Sequence, residues 1–117
     1  MTEPEMKQRT KNFALRVIKV VKTVSDDFVG RRLGDQLLRS GTSVAANYRA
    51  ACRARSRADF VSKLGIVEEE ADESCLWMEL LIESKLVSER RLGKLLQEAC
   101  ELTAVMVASR KTSSGHR

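Results

Sequence analysis

The sequence predicts an all-α fold, an antiparallel up-down-up-down four-helix bundle, on three observations. Apolar residues recur at three- and four-residue steps in four successive segments, and no segment sustains the alternation of a half-buried strand. The 117 residues include a single Pro, so the turn punctuation that sandwiches and barrels need is missing. The connections between segments are short, which favours antiparallel neighbours.

The first helix is expected over about Glu5–Val24, with Phe13, Val17, Val20, Val21 and Val24 on one side. Thr2 ahead of Pro4 and Glu5 is its start signal. Ser25-Asp26-Asp27 ends it and offers caps for the second helix, about Phe28–Ala54. There Leu33, Leu37, Val44, Tyr48 and Ala51 share a face, and Gly30, Gly34, Gly41 and Ala45 fall within about 60° of one another beside it. Each interior Gly costs roughly 1 kcal/mol against Ala. A neighbouring helix approaching closely along the stripe would explain them; the alternative is a break near Ser40-Gly41-Thr42-Ser43.

Ser56 is expected to cap the third helix, about Arg57–Lys85, with Asp59 supporting its positive end. Phe60, Leu64, Val67, Ala71, Ser74/Cys75, Met78, Leu81 and Lys85 form its core stripe. Ser88 caps the fourth, about Glu89–Lys111, carrying Leu92, Leu95, Leu96, Ala99, Leu102 and Met106. Residues 112–117 read as a disordered tail, and residues 1–111 as one bundle domain.

Composition narrows the function. No apolar run approaches the ~18 residues of a membrane span, and there is no signal-peptide core, so a soluble cytoplasmic protein without a membrane partner is expected. Three cysteines without paired spacing do not make a disulfide framework. The only His is His116 in the tail, which removes most imidazole catalysis and most transition-metal sites. The serines have no His partner and no Gly-x-Ser-x-Gly elbow. No catalytic residue, cofactor or metal site is therefore assigned. The acidic run Glu68–Glu73 does not change this, because a di-metal bundle needs Glu-x-x-His pairs that no helix here contains. The cysteines Cys52, Cys75 and Cys100 sit beside apolar stripes and read as small buried hydrophobes.

Net charge is +5 and uneven. Residues 1–57 hold 13 Lys/Arg against 5 Asp/Glu, residues 58–89 hold 2 against 9, and residues 90–117 hold 6 against 2. With the turn near Ser56, Arg39 is expected to pair with Glu69, Asp72 and Glu73 of the third helix, and Arg53 to face Asp59. The run Arg49-Ala50-Ala51-Cys52-Arg53-Ala54-Arg55-Ser56-Arg57 clusters guanidinium groups, the footprint of phosphate recognition. Arg49, Arg53, Arg55 and Arg57 are the candidate nucleic-acid contacts, against the alternative of a solvated, locally paired face. Gln36, Ser40, Ser43 and Asn47 form either a buried polar network with the third helix or an exposed strip. Ile66, Trp77 and Leu80 form a second apolar stripe about 120° from the core stripe, read as an oligomer interface or as a broad core wedged between three helices.

The stretch Gly34–Ser56, with the pattern Gln36-x-x-Arg39-Ser40-x-x-Ser43-Val44-x-x-Asn47, and the stretch Lys63–Ser74 followed by Trp77, resemble a bacterial family. It is the four-helix-bundle family of ribosomal RNA intervening sequences, and the likeness spans roughly Thr10 to Arg110. The resemblance implies a four-helix bundle assembled as a homopentamer around a central axis, with no established enzymatic activity. It also links the chain to the accessory protein of diversity-generating retroelements, a basic pentameric barrel, and so implies RNA or DNA and a reverse transcriptase or other protein as partners. Many members follow the Asn with Ile-Ala-Glu-Gly, where this chain reads Tyr48-Arg49-Ala50-Ala51, so a role resting on that Glu does not transfer. The resulting expectation is a non-enzymatic oligomeric scaffold binding structured RNA or other nucleic acid through the second helix. The alternative is a protein-interaction module whose basic patch is incidental.

Overall fold

The computed structural model describes residues 1–115. It consists of α1 (Glu3–Val21), α2 (Phe28–Ala51), α3 (Arg57–Glu83) and α4 (Glu89–Ser113). Each helix packs on its two neighbours in the ring α1, α2, α3, α4, and among the described residues the backbones of the diagonal pairs stay apart. The bundle measures 45 × 23 × 21 Å, and its α1–α4 seam is the lightest of the four.

Local chemistry sets each start. Thr2 Oγ1 accepts from Glu5 N at 3.2 Å while Thr2 N donates to the Glu5 carboxylate at 2.8 Å, a reciprocal capping box. Asp27 accepts from Val29 N and Gly30 N, Ser56 from Asp59 N, and Ser88 from Arg91 N. The ends depart from the sequence expectation. α2 closes at Ala51, because Arg53 N and Ala54 N bond back three residues in a tightened turn. α3 closes at Glu83: Lys85 takes φ 64° in the left-handed region, and Leu86 N and Val87 N then donate to Leu81 O. Lys85 is therefore exposed beyond the helix and not part of the core stripe. α4 runs on through Thr112 and Ser113, so those two residues of the expected tail are helical. The last two residues of that tail, including His116, lie outside the described residues.

One core runs the length of the bundle. Phe13 and Val17 of α1, Leu37 and Val44 of α2, Leu64 and Met78 of α3, and Leu92 and Leu102 of α4 are almost wholly removed from water. Each contributes about 1.5–3 kcal/mol relative to exposure. α2 is unbroken at Ser40–Ser43; Gly34 and Gly41 lie where α1 comes close, and Gly30 lies against the α1–α2 connection. A Cβ on Gly41 would stand 2.8 Å from both methyls of Val17. The other three seams carry Arg–Glu bridges instead: Arg39 with Glu70 and Glu73 between α2 and α3, Arg110 with Glu68 between α3 and α4, and Arg9 with Glu98 and Glu101 between α1 and α4.

Candidate nucleic-acid interface

Arg49 sits on the last turn of α2, Arg53 and Arg55 in the α2–α3 connection, and Arg57 at the first position of α3. All four side chains are exposed, and none joins an ion pair among the described residues. Asp59, expected opposite Arg53, is engaged elsewhere. It accepts Lys63 Nζ at 2.7 Å and the Arg55 backbone N at 3.3 Å, and these bonds hold its carboxyl below the usual carboxylate range. The four arginines thus lie around one end of the bundle, with Asp59 close to Arg55 but no ion pair to any of them among the described residues. α1 adds two cations that the sequence reading missed. Lys7 and Lys11 join Arg49, Gln8 and Thr42 around a groove of about 410 Å³ between α1 and α2. Their four-residue spacing outside the apolar stripe was the available signal.

Of the carboxylates expected to pair with Arg39 across the seam, Glu73 does so, and Glu70 takes the place of Glu69 and Asp72. The Arg39 guanidinium donates to Glu70 at 3.3 Å and to Glu73, whereas Glu69 and Asp72 are exposed and form no ion pair among the described residues. Glu70 lies about 100° round the helix from Glu69, on the side that meets α2. With Arg39 half in solvent, the cluster contributes at most about 1 kcal/mol per pair.

The polar strip of α2 divides. Ser40 is fully buried, its Oγ 2.8 Å from Ser74 Oγ, and Ser74 donates to Glu70 O at 3.0 Å. Asn47 donates within α2, to Ser43 O and Ser43 Oγ, and Gln36 is exposed. Of the second apolar stripe, Ile66 and Leu80 keep 41% and 38% of their surface in solvent, and Leu76 joins them at 45%. Trp77 is half-buried and packs against the core, with its Nε1 shielded from water and lacking an acceptor. Its indole spans both readings of that stripe.

The cysteines differ from one another. Cys75 is buried, Cys52 half-buried and Cys100 exposed, so Cys100 is not the buried hydrophobe expected. Cys75 Sγ lies 3.5 Å from Cys100 Sγ across the α3–α4 seam. Burial, with the neighbouring Cys100, pushes the Cys75 thiol up to about 12. Among the described residues no three His, Cys, Asp or Glu side chains converge as metal ligands, and no helix is long and apolar enough to cross a membrane.

This four-helix bundle has known relatives. The profile of the 23S rRNA-intervening sequence protein family matches residues 2–108, and the chain belongs to that family. It is also similar to a solved Bacteroides thetaiotaomicron protein of the S23 ribosomal protein family, itself described as of unknown function. The two share 34% identity and superpose with a TM-score of 0.82, covering 90% of this chain and 97% of the other. A comparison with curated proteins finds none that matches. Neither the family description nor that of the Bacteroides protein names an enzymatic activity.

Proposed function

We propose that the protein is a non-enzymatic, oligomeric scaffold of the cytoplasm that binds nucleic acid, structured RNA foremost, through Arg49, Arg53, Arg55 and Arg57. The observation that carries this reading is the gathering of four exposed guanidinium groups at one end of the bundle, none of them in an ion pair among the described residues. Such a surface recognises phosphates as bidentate, charge-assisted acceptors and reads little sequence. The family's tie to 23S rRNA supports RNA as the polyanion. Replacing Arg49, Arg53 and Arg55 by Ala is expected to weaken RNA binding at least tenfold at ~0.1 M salt and to reduce the salt slope by about 2–3. Equal affinities and slopes for wild type and variant remove these arginines from the reading.

The exposed Ile66, Leu76 and Leu80 beside Trp77 favour self-association through the α2–α3 face, closing into a ring of five. Light scattering reads the mass directly. A monomer at micromolar concentration contradicts the ring and leaves that face for a different protein, the second reading.

A further inference from the structure

The α1–α4 seam changes character along its length. Toward the N-terminal end of α1, Arg9 closes it with Glu98 at 2.8 Å and Glu101 at 3.2 Å. Two turns further along α1, Arg16 and Lys19 come against Arg91 and Lys94 of α4 around a groove of about 410 Å³, floored by Val20 and Leu95. All four cations are exposed, and none has an ion-pair partner among the described residues.

The nearby carboxylates are accounted for. α1 has no acid after Glu5. Asp26 pairs with Arg31, and Asp27 caps α2. Glu98 belongs to Arg9, and Glu89 lies about 160° round α4 from Arg91. Like charges facing one another across a helix seam raise the energy of the folded chain, and no ion pair among the described residues offsets them here. An anion lying between the two helices would. Two arginines with planar forks and two lysines with point charges, set on separate rigid helices, suit a string of phosphates better than one small anion.

We propose that the Arg16–Lys19–Arg91–Lys94 groove is a second binding site for a phosphodiester backbone. It lies at the other end of the bundle from Arg49, Arg53, Arg55 and Arg57, and it rests on the reading of the protein as a nucleic-acid binder. Lys22, which lines the adjoining surface with Arg16 and Lys19, continues the strip toward the end of α1. Each chain then grips nucleic acid at two places, near opposite ends of a body 45 Å long.

The test uses the full chain and an RNA hairpin of roughly 20 base pairs, long enough to span both ends. Arg16→Gln, Lys19→Gln, Arg91→Gln and Lys94→Gln are combined in one variant, and compared with wild type and with the Arg49/Arg53/Arg55 triple-Ala variant. Gln keeps helix propensity and relieves the repulsion, so the variant is expected to fold, as circular dichroism would verify. Its affinity at ~0.1 M salt should fall more than tenfold, and its salt slope should shrink by about 2–4. Wild-type affinity and slope in the Gln variant, with loss in the triple-Ala variant, overturns the groove and leaves the α2 arginines standing. Loss in the Gln variant alone supports the groove and overturns the α2 assignment. A wild-type chain that does not bind the hairpin overturns both, as does binding that neither variant weakens.

Discussion

At Gly41 the helix backbone of α2 meets the side chain of Val17, which has no accessible surface and nowhere to move. An added Cβ at 2.8 Å from both Val17 methyls has to push α1 outward, so Gly41→Ala is expected to destabilise the bundle by about 1–2 kcal/mol despite its better helix propensity. Gly34 is the control, because its Cβ would touch Val21 at an ordinary 3.6 Å. Gly34→Ala should stabilise by up to about 1 kcal/mol. Urea denaturation of both variants checks the pair, and stabilisation by both would show that α1 is not held so close. A second residue-scale effect comes from Cys75. Its thiol ionises near 9 when solvated but is pushed to about 12 in the fold, so the unfolded chain releases this proton first. The corresponding stability is fully present below pH 9 and is lost as the pH rises from 9 toward 12. Burial raises the Tyr48 phenol and the Cys52 thiol as well, with the same sign. The urea midpoint should therefore fall above pH 9, and Cys75→Ala should flatten part of that fall. An unchanged profile in the variant would assign the loss to other groups.

Among the helices, α1 has the least holding it. It shares the glycine-lined contact with α2 and only the light seam with α4, whereas α3 is packed extensively on both sides. Local opening follows such differences. Amide exchange should be faster in the middle of α1 than in the middle of α3, and equal protection in the two would mean that the bundle opens as one unit. The starts of all four helices were legible in the sequence because a cap acts within three residues: Thr2, Asp27, Ser56 and Ser88 each bond a backbone N–H just ahead of them. The ends were not. The tightened turn after Ala51 and the left-handed Lys85 depend on where the next helix must begin, not on residue type. The choice of Glu70 over Glu69 by Arg39 belongs with them, since the rotation of two packed helices decides which carboxylate faces the seam.

For the molecule as a whole, periodicity and short connections contained the bundle, because a helix that buries one stripe needs neighbours to bury it against. The charge layout was only half visible. Arg49, Arg53, Arg55 and Arg57 stand out as a run in the chain, whereas Arg16 and Lys19 meet Arg91 and Lys94 only when the first and last helices close the ring. A linear reading therefore finds basic character at the α2 end and misses it at the α1–α4 seam. It also sees Trp77 as an apolar group outside the core stripe and leaves open whether interface or broad core takes it, where the fold half-buries it against the core. The chain holds no other tryptophan, and Nε1 of this one is sealed from water without an acceptor. All indole fluorescence thus comes from one point on the α2–α3 face. Emission from an indole in such apolar surroundings lies to the blue of the solvated ring, and it moves when a neighbour settles on that face or leaves it. A partner that docks on that face would therefore be detectable optically, without a label.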